Sequence, residues 1–221
     1  MLYKNVCEAR FISRPNRFVA LVNLNGTVIP VHVKNTGRLS ELLLPQNKVY
    51  LCESENSNRK TRYDLISVYT KDTGIVNIDS FAPNAVVKEW LQFKRFEAVT
   101  PEYGYRKSRL DFYFCKGEKR FLMEVKGCTL KKDGVGLFPD APTKRGAKHL
   151  KELVNALSDG YESILAFVAQ VPGMTEVRPN AQTDPEFAEA YFAAKSAGVK
   201  VLCMSCLVSE DEIKITGERF I

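Results

Sequence analysis

The chain has little of what would place it outside the ordinary globular class. No stretch of about 18 apolar residues occurs; the most continuous one, Ile164 to Val171, is broken by Gln170, so a membrane-spanning helix is excluded. The first ten residues, Met1 to Arg10, carry charges where a secretory signal needs an apolar centre, and the location expected is the cytoplasm, with no membrane partner. Cysteines number 6 in 221 residues, too few for a disulfide framework, and reduced thiols are expected. Cys203-Met-Ser-Cys206 has the spacing of half a zinc site, but the chain holds only 2 histidines and no second cysteine pair completes it. Those two cysteines lie inside Val199–Val208, an apolar run that reads as a buried strand, which makes them core residues. There is no internal repeat and no low-complexity tract.

What is present is ordinary in total and uneven in distribution. With 45% apolar and 26% charged residues, the chain has the length for one large domain or two small ones and needs no metal or disulfide to fold. The formal charge of +6 divides into +4 for residues 1–80, +7 for 81–150 and −5 for 151–221. Positive charge is therefore gathered in the middle piece, as a polyanion-binding surface requires, although solvated surface charges account for it equally well.

Hydrophobic periodicity divides the chain into two parts. Over residues 1–79 the pattern is β: Phe18–Leu24 and Thr27–Val33 flank Asn25-Gly26, a strong signal for a type I′ hairpin. The runs Val49–Cys52 and Tyr63–Tyr69 follow, separated by a polar turn at 54–59. Short strands without a long helix predict a small OB-like barrel, with Leu39–Leu44 as a short helical plug. After Lys71-Asp-Thr-Gly74, residues 80–221 alternate between helix and strand. Helices are predicted over Asn84–Phe96, with Val86, Val87, Trp90, Leu91 and Phe93 on the apolar side, over Thr143–Ser158, capped by Thr143 and ended near Gly160, and over Pro185–Ala197, closed by Gly198. Strands are predicted over 110–115, 120–126, 163–171 and 199–208.

The segment with chemical content is Ser108–Lys126, two strand-like runs joined by Lys116-Gly-Glu-Lys119. If Gly117-Glu118 is a two-residue type II′ loop, Asp111 lies opposite Glu124. Leu110, Phe112 and Phe114 then face one way with Phe121, Met123 and Val125, while Asp111, Glu124 and Lys126 face the other. Opposed carboxylates about 5 Å apart destabilise a sheet unless something offsets them, and a divalent cation would. Asp111 and Glu124 are thus candidate ligands of Mg²⁺ or Mn²⁺. Lys126 is the group that would orient or deprotonate a water and stabilise charge on a phosphoryl oxygen. The plainer alternative is a solvent-facing ion cluster in which Lys126 and Arg109 neutralise the two acids.

Asp111 followed by Glu124-Val-Lys126, with a helix before and an α/β arrangement after, resembles the core of the PD-(D/E)xK nuclease superfamily, of restriction-endonuclease-like fold. Leu110 stands where that pattern has proline, and the literal Pro139-Asp140 follows the acid-x-Lys triplet and cannot serve as its first half. Asn35-Thr-Gly37, Tyr103-Gly104, Ser108-Arg-Leu-Asp-Phe112, Phe138-Pro-Asp-Ala141 and Arg145-Gly-Ala-Lys-His-Leu150 extend the likeness, and nearly end to end the chain resembles the sugar fermentation stimulation protein A family. The resemblance implies an OB-like domain over 1–79, a nuclease-like mixed sheet flanked by helices over 80–221, and DNA binding of low sequence specificity; the partner expected is DNA, with single strands as candidates beside duplex. It leaves open whether the chain cuts DNA by metal-dependent phosphodiester hydrolysis or is a non-catalytic DNA-binding regulator.

Further candidates follow with that likeness in view. Glu89, on the helix before the hairpin, is a candidate third catalytic acid or an exposed carboxylate. Asp140, Thr143, Arg145 and His149 cluster at a helix N-terminus, which suits a phosphate. Lys144 and Lys148 on that helix, and Arg106, Lys107 and Arg109 before the first strand, extend a DNA-binding set. In the barrel Arg14, Arg17, Arg59, Lys60 and Arg62, with Phe11, Phe18, Tyr63 and Tyr69, form the mixture of cations and rings expected of a nucleic-acid groove. His32 has no chemical partner in sequence and reads as structural.

Overall fold

A computed structural model describes residues 1–56 and 58–221; Ser57, in the polar turn expected at 54–59, lies outside the described residues. The first part is an OB-type five-stranded barrel: β1 (Val6–Asn16), β2 (Val19–Leu24), β3 (Thr27–His32), β4 (Lys48–Glu53) and β5 (Tyr63–Thr70), to which β6 (Gly74–Asn77) adds a short hairpin. The sheet order is β3-β2-β1-β4-β5-β6, and β3 meets β5 at His32 and Asp64, which closes the barrel. Asn25 and Gly26 both have positive φ, 51° and 86°, so the β2–β3 loop is the primed turn that matches strand twist. Leu39–Leu44 does plug the barrel, with Leu39, Leu42 and Leu43 buried, but as one turn and not a helix. Leu39 sits at φ 50°, and Pro45 excludes Leu44 from helical geometry.

The second part is a mixed sheet flanked by three helices. Its elements are α1 (Ala82–Phe93), β7 (Glu97–Tyr105), β8 (Ser108–Lys116), β9 (Lys119–Cys128), β10 (Lys131–Lys132), β11 (Val135–Phe138), α2 (Lys144–Ser158), β12 (Glu162–Ala169), β13 (Val177–Pro179), α3 (Pro185–Ala197), β14 (Lys200–Val208) and β15 (Ile213–Phe220). The main sheet runs β15-β14-β12-β9-β8-β7, with β12 parallel to both β9 and β14, and β10-β11-β13 form a small second sheet. Alternation along β9 and β12 sorts the core. Met123, Val125, Ala166 and Val168 pack with Val86, Val87 and Leu91 of α1, whereas Leu122, Leu165 and Phe167 pack with Leu150 and Leu153 of α2 and Phe187 of α3. Each fully buried aliphatic side chain of this kind contributes roughly 1.5–3 kcal/mol. Phe93, expected on the apolar side of α1, is instead 80% exposed in the last turn.

α2 and α3 begin and end where their caps require. Thr143 accepts from the Gly146 amide at 3.0 Å, Asp184 accepts from the Phe187 amide at 2.9 Å, and Gly198 closes α3 at φ 108°. Cys203 and Cys206 are buried on opposite faces of β14, so they cannot share a metal. A buried polar junction ties the two parts together. Gln170 accepts at its carbonyl from the Asn77 amide at 3.0 Å, and its side-chain amide donates to Asn77 Oδ1 at 2.8 Å and to the Asp79 carbonyl at 3.0 Å. Among the described residues no helix is long and apolar enough to cross a membrane.

Candidate functional site

The hairpin register is the one the loop dictates. Gly117 alone of the loop pair has positive φ, 59°, and Phe112 pairs with Met123 and Lys116 with Lys119. This register carried on by one step sets Asp111 against Glu124. Ordinary ladder bonding gives way there: Asp111 Oδ2 accepts from the Val125 amide at 2.7 Å, and Oδ1 accepts from Asn84 Nδ2 of α1 at 2.9 Å. The alternation of β8 breaks at the same place, with Phe112 packed under α1 and Leu110 on the side of α2, so Leu110 does not share a face with Phe112 as expected.

Glu124 points to α2. Its side chain is almost fully buried, and Oε1 receives both Lys126 Nζ at 2.5 Å and His149 Nδ1, while Oε2 is buried with no hydrogen-bond partner. The other ring nitrogen, His149 Nε2, accepts from Arg145 Nε at 3.3 Å. Burial alone would raise the Glu124 pKa, but the His149 hydrogen bond and the Lys126 charge outweigh it and hold the carboxyl below its usual range. Asp111 moves the other way: burial, then the charge of Glu124, push its pKa up against the Val125 amide and Asn84. Two neighbouring carboxyls driven apart in this manner are a familiar acid–base arrangement.

Among the described residues no three His, Cys, Asp or Glu side chains gather as a ready-made metal cluster. The chain can offer two carboxylates here, and a hard cation that keeps several waters needs no more. The orphaned Oε2 of Glu124 is an oxygen donor of the right kind, so the residues fit such an ion.

The remaining predicted residues separate into groups. Lys107, Arg109, Lys144, Arg145, Lys148 and His149 line one groove of about 380 Å³ beside α2. Thr143 and Arg17 line a second, larger cleft of about 780 Å³ between the barrel and the mixed sheet, together with Gly37, Arg38 and Asp140. Arg106 joins neither: it pairs with Asp159 at 3.0 Å, at the far end of α2. Arg14 lines the second cleft, and its two terminal nitrogens donate to the carbonyls of Arg17, Asn35, Gly37 and Arg38 at 2.6–2.9 Å and clamp two loops, while its Nε is buried without a partner. Glu89 is 2.7 Å from the Met1 amino group at an exposed position, and the α1 side chain at Asp111 is Asn84 instead. Nothing in the spacing singles out Asn84. In the barrel, Arg59 and Arg62 are held by Asp64 and Glu53 at 2.7 Å each, His32 pairs with Asp64 at 3.0 Å, and Phe11 is core.

Comparison with known proteins bears on the whole chain. The family described as "SfsA N-terminal OB domain" matches residues 12–78, and the "Sugar fermentation stimulation protein RE domain" matches residues 81–212. A sugar fermentation stimulation protein homolog of Desulfitobacterium hafniense is 45% identical over 217 residues, covering 97% of this chain and 95% of the relative. Another, of Clostridium beijerinckii, is 42% identical over 219 residues, covering 97% and 96%. Among solved structures, SfsA of Pyrococcus furiosus in complex with Ca²⁺ superimposes with a TM-score of 0.85 at 28% identity, over 99% of this chain and 96% of that one.

Proposed function

Because the chain belongs to the sugar fermentation stimulation protein family, we propose that it binds DNA with low sequence specificity and hydrolyses phosphodiester bonds with the help of Mg²⁺ or Mn²⁺, in the manner of the PD-(D/E)xK nucleases. The observation that carries this reading is the buried, unpartnered Oε2 of Glu124, set next to Asp111 and beside a cationic groove. Asp111 and Glu124 would hold the ion, which when bound supplies a Lewis acid for the phosphoryl oxygen and lowers the pKa of a coordinated water. The relative from Pyrococcus furiosus, described in complex with Ca²⁺, adds support, since Ca²⁺ is a hard cation of the same oxygen-ligand class.

The chain's own residues do the remaining work. Lys107, Arg109, Lys144 and Lys148 hold the phosphate backbone along the groove. The first amides of α2 and its partial positive charge favour a phosphate at the same end. Lys126, whose ammonium lies 2.5 Å from Glu124 Oε1, would donate to the developing charge on the attacked phosphate. His149 keeps the Glu124 carboxylate aimed and Asn84 does the same for Asp111.

A second reading, a DNA-binding regulator without catalysis, draws on the fact that Glu124 Oε1 already has both His149 and Lys126 as partners. One experiment separates the two. Supercoiled and single-stranded DNA are incubated with the protein in Mg²⁺, in Mn²⁺ and in chelator, alongside Glu124→Ala and Lys126→Ala. Metal-dependent nicking by the wild type, lost in both variants while binding is kept, is the expected result. Binding without nicking in either metal would leave the regulator.

A further inference from the structure

The larger cleft has features that the groove beside α2 does not account for. Its walls come from both parts of the chain: the loop at Asn35–Arg38 and Arg17 on the barrel side, and residues 138–143 on the other. The walls touch at Gly37, where an added Cβ would lie 2.5 Å from Asp140 Oδ2. The cleft borders the elements that carry the candidate site, since Gly127 follows Lys126 on β9 and Pro83 precedes Asn84 on α1, and both line it.

Its chemistry limits what it suits: an unpaired strand offers both a phosphate backbone for cations and bases free to stack on aromatic rings. Arg17 and Arg38 are exposed, and neither guanidinium has a salt-bridge partner among the described residues. Arg14, by clamping the carbonyls of Arg17 and Arg38, fixes the loops that present them. The Asp140 carboxyl, which also faces the cleft, is pushed upward in pKa by burial. Phe81, next to the lining residue Ser80, is 68% exposed, with Lys34 Nζ over its ring 5.7 Å from the centroid, and Phe18, after Arg17, is 56% exposed. Exposed cations along a channel with exposed aromatic side chains beside it are what backbone tracking and base stacking require.

We infer that this cleft receives the unpaired tail of a DNA whose duplex part lies in the groove beside α2, so that the carboxylates act at the junction between single and double strand. The assignment rests on the DNA-binding function proposed above and names its substrate class: tailed or flapped DNA ahead of blunt duplex.

The test is fluorescence anisotropy in chelator, where nothing is cut, on a short blunt duplex and on the same duplex with a 5′ or a 3′ tail. Wild type is expected to bind one tailed form about tenfold more tightly than the blunt one, the equivalent of about one stacked base. Arg17→Ala/Arg38→Ala and, separately, Phe81→Ala are expected to erase that preference and leave blunt-duplex affinity within about twofold. These three side chains are exposed, and unchanged thermal melting verifies that the variants fold. Lys107→Ala/Lys148→Ala weakens both DNAs in parallel. Equal affinity of wild type for blunt and tailed duplex, or parallel loss on both DNAs in the arginine variant, would overturn the assignment and leave the proposed function standing. Binding to neither DNA would remove the proposed function, and the assignment with it.

Discussion

Arg145 and His149 stand one turn apart on α2, and Nε of the first donates to Nε2 of the second at 3.3 Å. A ring nitrogen that accepts carries no proton, so the His149 proton sits on Nδ1 and is donated to Oε1 of Glu124. The chain Arg145–His149–Glu124–Lys126 therefore links the cationic groove to the buried carboxylate through one fixed tautomer.

His149→Ala removes a donor from a buried carboxylate and is expected to cost about 1–3 kcal/mol at neutral pH. Glu124 has a depressed pKa in the folded chain, so the stability it contributes is present above its unfolded value and disappears as pH falls through the folded one. Without His149 the folded pKa rises toward the unfolded value and that contribution shrinks. Urea unfolding from pH 8 down to pH 3 should give a smaller difference between neutral and acidic stability in the variant. Curves that stay parallel to wild type over the whole range would contradict the link.

Asp111 has the opposite sign. Its folded pKa is raised by burial and by Glu124, so its charged form opposes folding, and its net effect grows less favourable as pH rises through the folded value. Asp111→Asn keeps the shape, and Asn84 can turn its amide to accept from the new one. At pH 8 the variant is expected to be more stable than wild type by about 1 kcal/mol, a gain that fades toward pH 4, while metal-dependent cleavage is lost. A less stable variant at pH 8 would mean that the two carboxyls do not repel.

Salt dependence distinguishes the basic residues that face the groove from those that do not. Four contacts, from Lys107, Arg109, Lys144 and Lys148, predict a log–log slope of about −3.6 for duplex DNA, and Lys107→Ala/Lys148→Ala reduces it to about −1.8. Arg106→Ala, whose guanidinium is held by Asp159 at 3.0 Å, leaves the slope unchanged. A drop with Arg106→Ala equal to that of a single lysine would place the DNA across the other end of α2.

Much of this was legible where local rules act alone. Asn25-Gly26, Gly117, Thr143 and Gly198 each dictate a turn or cap, and from Gly117 followed the register that sets Asp111 against Glu124. The edge strands β7 and β15 were not legible. Residues 97–105 include Glu97, Pro101 and Glu102 at exposed positions, so their pairing with β8 depends on backbone bonds that leave no apolar signature. The partners of single side chains were hidden for a different reason. Arg14 binds carbonyls up to 24 positions away and Asn84 reaches Asp111 across 27, and no periodicity encodes contacts of that range. Charge counts placed Arg106 and Arg109 together, yet only the strand end decides which of them turns toward α2's first turn.

Gly127 has no side chain because none fits. A Cβ there would run into Gln170 Oε1 and lie 2.7 Å from Pro83 Cγ. Gln170 cannot retreat freely, since its amide is fixed by Asn77 Oδ1 and the Asp79 carbonyl, the bonds that join the barrel to the mixed sheet. Pro83 is equally constrained in the first turn of α1, one residue before Asn84. Gly127→Ala therefore forces either the junction or the start of α1 to move, at a cost of about 1–3 kcal/mol from overpacking. A shift of α1 withdraws Asn84 from Asp111, so cleavage should fall more than stability does, whereas Gly26→Ala, in open space at a hairpin tip, affects stability through its positive φ and leaves cleavage per folded molecule unchanged. Thermal melting and single-turnover cleavage on both variants measure the two effects separately. Equal cleavage by folded Gly127→Ala and wild type would show that α1 does not set the position of Asp111.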